Sequence, residues 1–91
     1  MAGFRLTKAY TMPKDELREA AEGLAARLEA QHGVRSSWRG DAVRIKGSGV
    51  DGELSFGGGV VDVSVRLGLL AAPFKKMLQA EVQRYLDEHI H

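Results

Sequence analysis

Two periods of apolar and polar residues alternate along this chain, and the switches between them mark its elements. From Val60 to Leu67, the residues Val61, Val63, Val65 and Leu67 alternate with Asp62, Ser64 and Arg66. That is the two-residue period of a strand with one face buried and one wet. It is the best-specified element here, and the other elements are organised around it. Near the start, Phe4 and Leu6 alternate with Arg5 and Thr7, which predicts a first strand ending near Thr11, where Met12-Pro13 stops it.

The period then lengthens. Leu17, Ala20, Ala21, Leu24 and Leu28 recur at spacings of three and four, with Arg18, Glu19, Glu22, Arg27 and Glu29 opposite them, so a helix is predicted from about Pro13 to His32. Proline suits a first turn, Asp15 and Glu16 sit at the positive end of the helix dipole, and Thr11 lies within a residue of a capping position. Gly33 is the expected left-handed stop. Gly23 lies mid-helix, where it costs about 1 kcal/mol relative to alanine, so it marks either a close backbone approach or simple tolerance.

Alternation returns at Val34 and continues to Leu67. Val34–Arg39 and Ala42–Lys46 flank Gly40-Asp41, a two-residue hairpin loop with glycine where a type II′ turn needs it. This register sets Trp38 opposite Val43 and Ser36 opposite Ile45, all facing inward. Val50–Phe56 follows a Gly-Ser-Gly turn, and Gly57–Gly59 turns the chain into Val60–Leu67. These glycines are turn chemistry between strands, not a flexible linker. A last helix is predicted from Leu69, or from Pro73, to near Ile90, with an apolar stripe of Leu70, Phe74, Met77, Leu78, Val82, Tyr85 and Leu86.

The order strand, helix, four strands, helix constrains topology. A first strand joined to the second through one helix runs parallel to it, so antiparallel pairing sets it beside Val60–Leu67. The prediction is one α+β domain over residues 1–91, with a curved five-stranded antiparallel sheet in the order 1-5-4-3-2. Both helices should cover one face. The arrangement resembles a TATA-binding-protein half-repeat and, more loosely, helix-grip proteins; fold likeness of this kind carries no function.

Composition narrows the classes. The formal net charge is +1 over 91 residues, so no global field points to nucleic acid or an anionic membrane, and basic surface must be local. The absence of cysteine and asparagine leaves no disulfide framework, thiol metal site or glycosylation acceptor, which fits a reducing cytoplasm. The N-terminal stretch lacks a signal-peptide core. The longest apolar run, Leu67–Phe74, is under half of the roughly 20 residues that cross a bilayer.

Candidate chemistry is sparse. Gly47-Ser48-Gly49-Val50-Asp51-Gly52 matches G-x-G-x-x-G, but the segment continues as strand, so no helix N-terminus is there to receive a pyrophosphate. Glycine at a turn and at a twist or bulge explains it. His89 and His91 sit on a chain end without a partner shell, and His32 suits a helix C-terminus. Ser36, Ser37, Ser48, Ser55 and Ser64 have no nucleophile elbow. No catalytic residue, metal ligand or cofactor site is predicted.

Two surfaces remain. Arg35, Arg39, Arg44 and Lys46 gather on the outer face of the second and third strands, with Asp51, Glu53 and Asp62 on the fourth and fifth together with Arg66, so the face should be a charge dipole. Its basic half would suit RNA phosphates, yet no aromatic projects outward as a stacking platform. A solvated face, or one pairing end for end in a symmetric homodimer, fits better. The second surface is the seam between sheet and last helix, near Trp38, Phe56, Leu69, Leu70, Phe74 and Tyr85, read as ordinary core or as a gap for an apolar ligand.

The stretch Gly47–Leu54, then Leu67–Leu70, Phe74-Lys75 and Glu81-Val82, resembles the small bacterial polyhydroxyalkanoic acid system proteins, a family associated with polyester storage-granule genes. The likeness runs from the first strand to the last helix and carries no catalytic signature; Pro73 and Gly57–Gly59 depart from its pattern. It implies an accessory or regulatory role linked to granules. The leading expectation is therefore a non-enzymatic, cytoplasmic binding module, acting at granules or on a granule-associated protein through a helix-side apolar surface, as a homodimer. A helix-grip carrier of an acyl ligand is the first alternative, requiring an enclosed cavity; an RNA-binding sheet is the second. Exposed Leu69, Leu70 or Phe74 would favour the leading reading.

Overall fold

A computed structural model describes residues 2–91. Strand β1 covers Ala2–Ala9, helix α1 Lys14–His32, β2 Arg35–Arg39, β3 Ala42–Gly47, β4 Val50–Gly57, β5 Val60–Leu67 and helix α2 Lys75–His89. The five strands form one antiparallel sheet in the order β1-β5-β4-β3-β2, as the topology argument requires. Strand β5 is interior. Val61, Val63, Val65 and Leu67 are all buried on one face, where Val43, Ile45, Leu54 and Phe56 join them in a single core with residues of both helices.

Helix α1 buries Leu17, Ala21, Leu24, Ala25 and Leu28. It ends on Gly33 at φ +68°, whose N–H donates to the Glu29 carbonyl, the left-handed cap that glycine makes cheap. At its other end Pro13 occupies the cap position without a side-chain bond. Thr11 does not cap the helix; its hydroxyl points to the His91 carbonyl at 3.4 Å. Gly23 is explained by close approach. A Cβ there would collide with the Tyr85 hydroxyl, which reaches across from α2 to donate to the Ala20 carbonyl at 2.7 Å.

Trp38 pairs with Val43 and Ser36 with Ile45, as the hairpin register predicts. In the turn between them Gly40 takes positive φ and Asp41 does not, the type II′ requirement. The next loop, Ser48-Gly49, and the loop Gly58-Gly59 hold both residues at positive φ, the type I′ pattern that follows strand twist. Gly52 makes no bulge: register runs unbroken through its pairing with Ile45 and Val65.

Of the two starts the sequence offers for the last helix, Leu69 is not observed, and helical structure begins around Pro73. Leu69 and Leu70 lie in a turn closed by the Ala71 and Ala72 N–H groups on the Gly68 carbonyl. A single 3-10 turn follows over Ala72–Phe74, carrying Pro73 in its first positions, and α2 begins only at Lys75. Helical spacing in this run is real in the sequence, but Gly68 and Pro73 divide it. Leu69, Leu70 and Phe74 are thereby released from the core, while Ala71 stays buried in it.

Candidate functional site

The six residues assigned to the sheet and helix seam separate into three groups. Trp38 and Phe56 meet edge to face at 6.3 Å near the Gly40 turn, with the Arg18 guanidinium 4.1 Å above the indole. Tyr85 is buried between the helices, and burial pushes its phenol above the ordinary range. Leu69, Leu70 and Phe74 lie at the opposite end of the sheet, beside Leu67 and the Ser48-Gly49 loop. Among the described residues no enclosed ligand site joins them. The space inside the core, between Leu24, Leu28, Ile45, Leu54, Val65 and Val82, is about 20 Å³, far below the ~300 Å³ of a ligand pocket.

At the 68–77 end the side chains turn outward. Leu69 and Leu70 are each 91% exposed, Phe74 55% and Met77 53%. Two consecutive leucines at that exposure have no packing role in the monomer. Phe74 and Met77, three residues apart, share one flank of the helix start. With Leu70, Val50 and Leu67 they line an open groove of about 240 Å³ that ends at His32 and Ser48. Ala2, Leu69 and Ala72 continue the apolar surface on the other side of Leu67.

A titratable pair borders this groove. His32 Nε2 lies 3.4 Å from Glu81 Oε2, joining the end of α1 to α2, and both side chains are about three-quarters buried. The other Glu81 oxygen has no hydrogen-bond partner among the described residues. The sequence marks His32 only as a helix-end residue; spacing gives no signal for its pairing with Glu81, because the partner is 49 residues away. Met77 fits the core stripe by spacing, and its position on the outer flank of α2 leaves it half exposed instead.

The outer sheet face corrects the charge reading. Arg35, Arg39, Arg44 and Lys46 do gather on β2 and β3, and Asp51 and Glu53 follow on β4. Beyond Asp62 and Arg66 on β5, however, β1 adds Arg5, which forks onto both Asp62 oxygens. That contact holds the Asp62 carboxyl below its usual range. Arg44 approaches Asp51 at 3.9 Å. The acidic strands are thus flanked by cations on both sides, and no simple dipole exists to pair end for end. Among the described residues, Arg35, Arg39 and Lys46 make no ion pair, but their face carries no outward aromatic.

Among the described residues no three metal-ligating side chains cluster, and no helix is long and apolar enough to cross a membrane. No curated protein and no solved structure matches the chain, so the likeness to the TATA-binding-protein half-repeat has no solved relative behind it. A family model described as "Putative polyhydroxyalkanoic acid system protein" matches residues 5–90. Spanning nearly the whole chain, from within β1 to the end of α2, that match shows that this protein belongs to the polyhydroxyalkanoic acid system family.

Proposed function

We propose that the chain is a non-enzymatic accessory protein of polyhydroxyalkanoate storage, attaching to the granule surface through Leu69, Leu70, Phe74 and Met77. One observation carries this reading: two adjacent leucines at 91% exposure beside a half-exposed phenylalanine and methionine. Contiguous apolar side chains held out of the core favour an apolar partner, and a polyester surface is uncharged and apolar. Full burial of a Leu, Phe or Met side chain is worth about 1.5–3 kcal/mol. Four partly exposed ones offer about 4–8 kcal/mol, from which the cost of immobilising the protein is subtracted.

The remaining groups support a structural role. Shifted carboxyls belong to contacts that hold elements together: Asp62 with Arg5, Asp87 with Lys8 and Gln83, Glu29 with Ser36. The small core space weighs against an enclosed carrier. A polarity-sensitive dye tests the contact, since the chain has no cysteine of its own. Attached through Met77→Cys, it should shift to the blue on polyester particles, and through Arg39→Cys it should not. Equal shifts at both positions, or none at Met77→Cys, would remove this patch as the contact.

A further inference from the structure

We infer that β1 pairs with β1 of a second copy, extending two five-stranded sheets into one. The sheet leaves one set of main-chain groups open along β1. The Tyr10 N–H donates to the Gly59 carbonyl at 3.0 Å, one step beyond the pairing of Ala9 with Val60. In an antiparallel ladder hydrogen-bonded and non-bonded pairs alternate. The even-numbered residues of β1 therefore bond to β5, and Gly3, Arg5, Thr7 and Ala9 aim N–H and C=O groups away from the sheet. The same parity holds across it, in Phe56 N–H on the Asp41 carbonyl and Gly68 N–H on the Gly49 carbonyl.

The two edges are treated differently. On β2, five residues long, the outward Ser36 N–H donates to the Glu29 carboxylate at 2.9 Å, and the neighbouring Gly40 carbonyl accepts from Arg18 at 3.1 Å. Helix α1 thus guards that edge. On β1, eight residues long, no outward main-chain group has a partner among the described residues. A long open edge is a template for another strand.

A two-fold axis perpendicular to the sheet keeps the helices of both copies on one side, and it requires residues of equal parity to face one another. Centred on Leu6, it sets Arg5 opposite Thr7 of the second copy and Gly3 opposite Ala9, giving about eight main-chain hydrogen bonds from the outward groups. No like charges then stand opposite. On the inner face Leu6 meets Leu6 of the second copy, with Phe4 diagonal to it, and both are only partly buried in the single chain. The interface is isologous and closes at two copies. It rests on main-chain geometry, independently of granule attachment.

Light scattering and two substitutions test it. The wild-type chain should reach twice its 9.9 kDa at raised concentration. Thr7→Pro removes an outward N–H and no bond to β5, so it should be folded by circular dichroism and monomeric. Leu6→Cys places two thiols at a non-hydrogen-bonded pair, about 4.5 Å between Cα atoms, within disulfide reach. It should oxidise to a dimer, while Ser37→Cys on the outer face of β2 should not. A wild type monomeric at every concentration, a folded Thr7→Pro dimer, or cross-linking at Ser37→Cys in place of Leu6→Cys would overturn the pairing. If Thr7→Pro unfolds, the cysteine pair decides alone. A Leu69→Asp/Leu70→Asp chain should still dimerise, which separates this interface from the apolar patch.

Discussion

Replacing a mid-helix glycine with alanine ordinarily stabilises a protein by about 1 kcal/mol, and Gly23→Ala should here do the opposite. The added Cβ enters the space of the Tyr85 hydroxyl, while the ring carbon bearing that hydroxyl stays at an ordinary 3.7 Å. Tyr85 is 7% exposed and its hydroxyl is held by the Ala20 carbonyl at 2.7 Å, so the ring has little room to retreat. Losing that hydrogen bond costs about 1 kcal/mol, and displacing a packed ring about 1–3 kcal/mol more. Against the propensity gain, the net is a loss of about 1–3 kcal/mol. Tyr85→Phe alone should lose about 1 kcal/mol with its hydrogen bond. In the double variant the obstacle is gone, the alanine gain returns, and stability should come back near wild type. The double variant is then better than the sum of the single ones by about 2–4 kcal/mol. Urea denaturation of the four proteins measures it. A Gly23→Ala chain more stable than wild type, or effects that add within about 0.5 kcal/mol, would refute the explanation of this glycine.

Other consequences follow from named contacts. Ser48 is the one non-glycine residue at positive φ among the described residues, at +53°; Ser48→Asn, better suited to a type I′ turn, should raise stability by about 0.5–1 kcal/mol in the same denaturation assay. The carboxyls of Asp62, Asp87 and Glu29 are held below their usual range, first by hydrogen bonds from Arg5, Lys8 and Ser36 respectively. Their contribution is therefore full above the unfolded carboxylate pKa of about 4 and lost as pH falls through the lower folded values. Urea midpoints should be level near neutrality and decline in acid, with a shallower decline in Arg5→Ala. Removing the guard of the β2 edge by Glu29→Ala should speed amide exchange at Ser36 and leave Ser37 unchanged, since Ser37 pairs with Arg44 inside the ladder.

Much of the fold is legible in the residues because the sheet has one wet face. Alternation from Val34 to Leu67 sets strand phase, and phase sets burial: Val61, Val63 and Val65 face the core because Asp62 and Ser64 cannot. Handedness and chain order then leave few places for β1. The segment from Gly68 to Phe74 is different. Its apolar residues fit helical spacing, and spacing does not distinguish a leucine on the core from one standing in solvent. Only the turn at Gly68 and the 3-10 turn at Pro73 put Leu69 and Leu70 outside. Partners distant in sequence were hidden for a related reason. Pairing of Arg5 with Asp62 depends on the register of β1 on β5, and that of His32 with Glu81 on how two helices cross. Neither is a property of local sequence.

Attachment to polyester through Leu69, Leu70, Phe74 and Met77 is open to direct measurement. Co-sedimentation of purified protein with isolated polyhydroxyalkanoate granules, at low and high salt, tests it most directly beside Leu69→Asp/Leu70→Asp and Phe74→Asp. Both leucines are almost wholly in solvent, so their replacement should shift stability by no more than about 0.5 kcal/mol. Loss of about 3 kcal/mol of apolar contact should still weaken binding by roughly 100-fold. Wild-type binding should survive high salt and be lost in both folded variants. Binding abolished by salt, or retained by the folded leucine variant, would contradict that attachment.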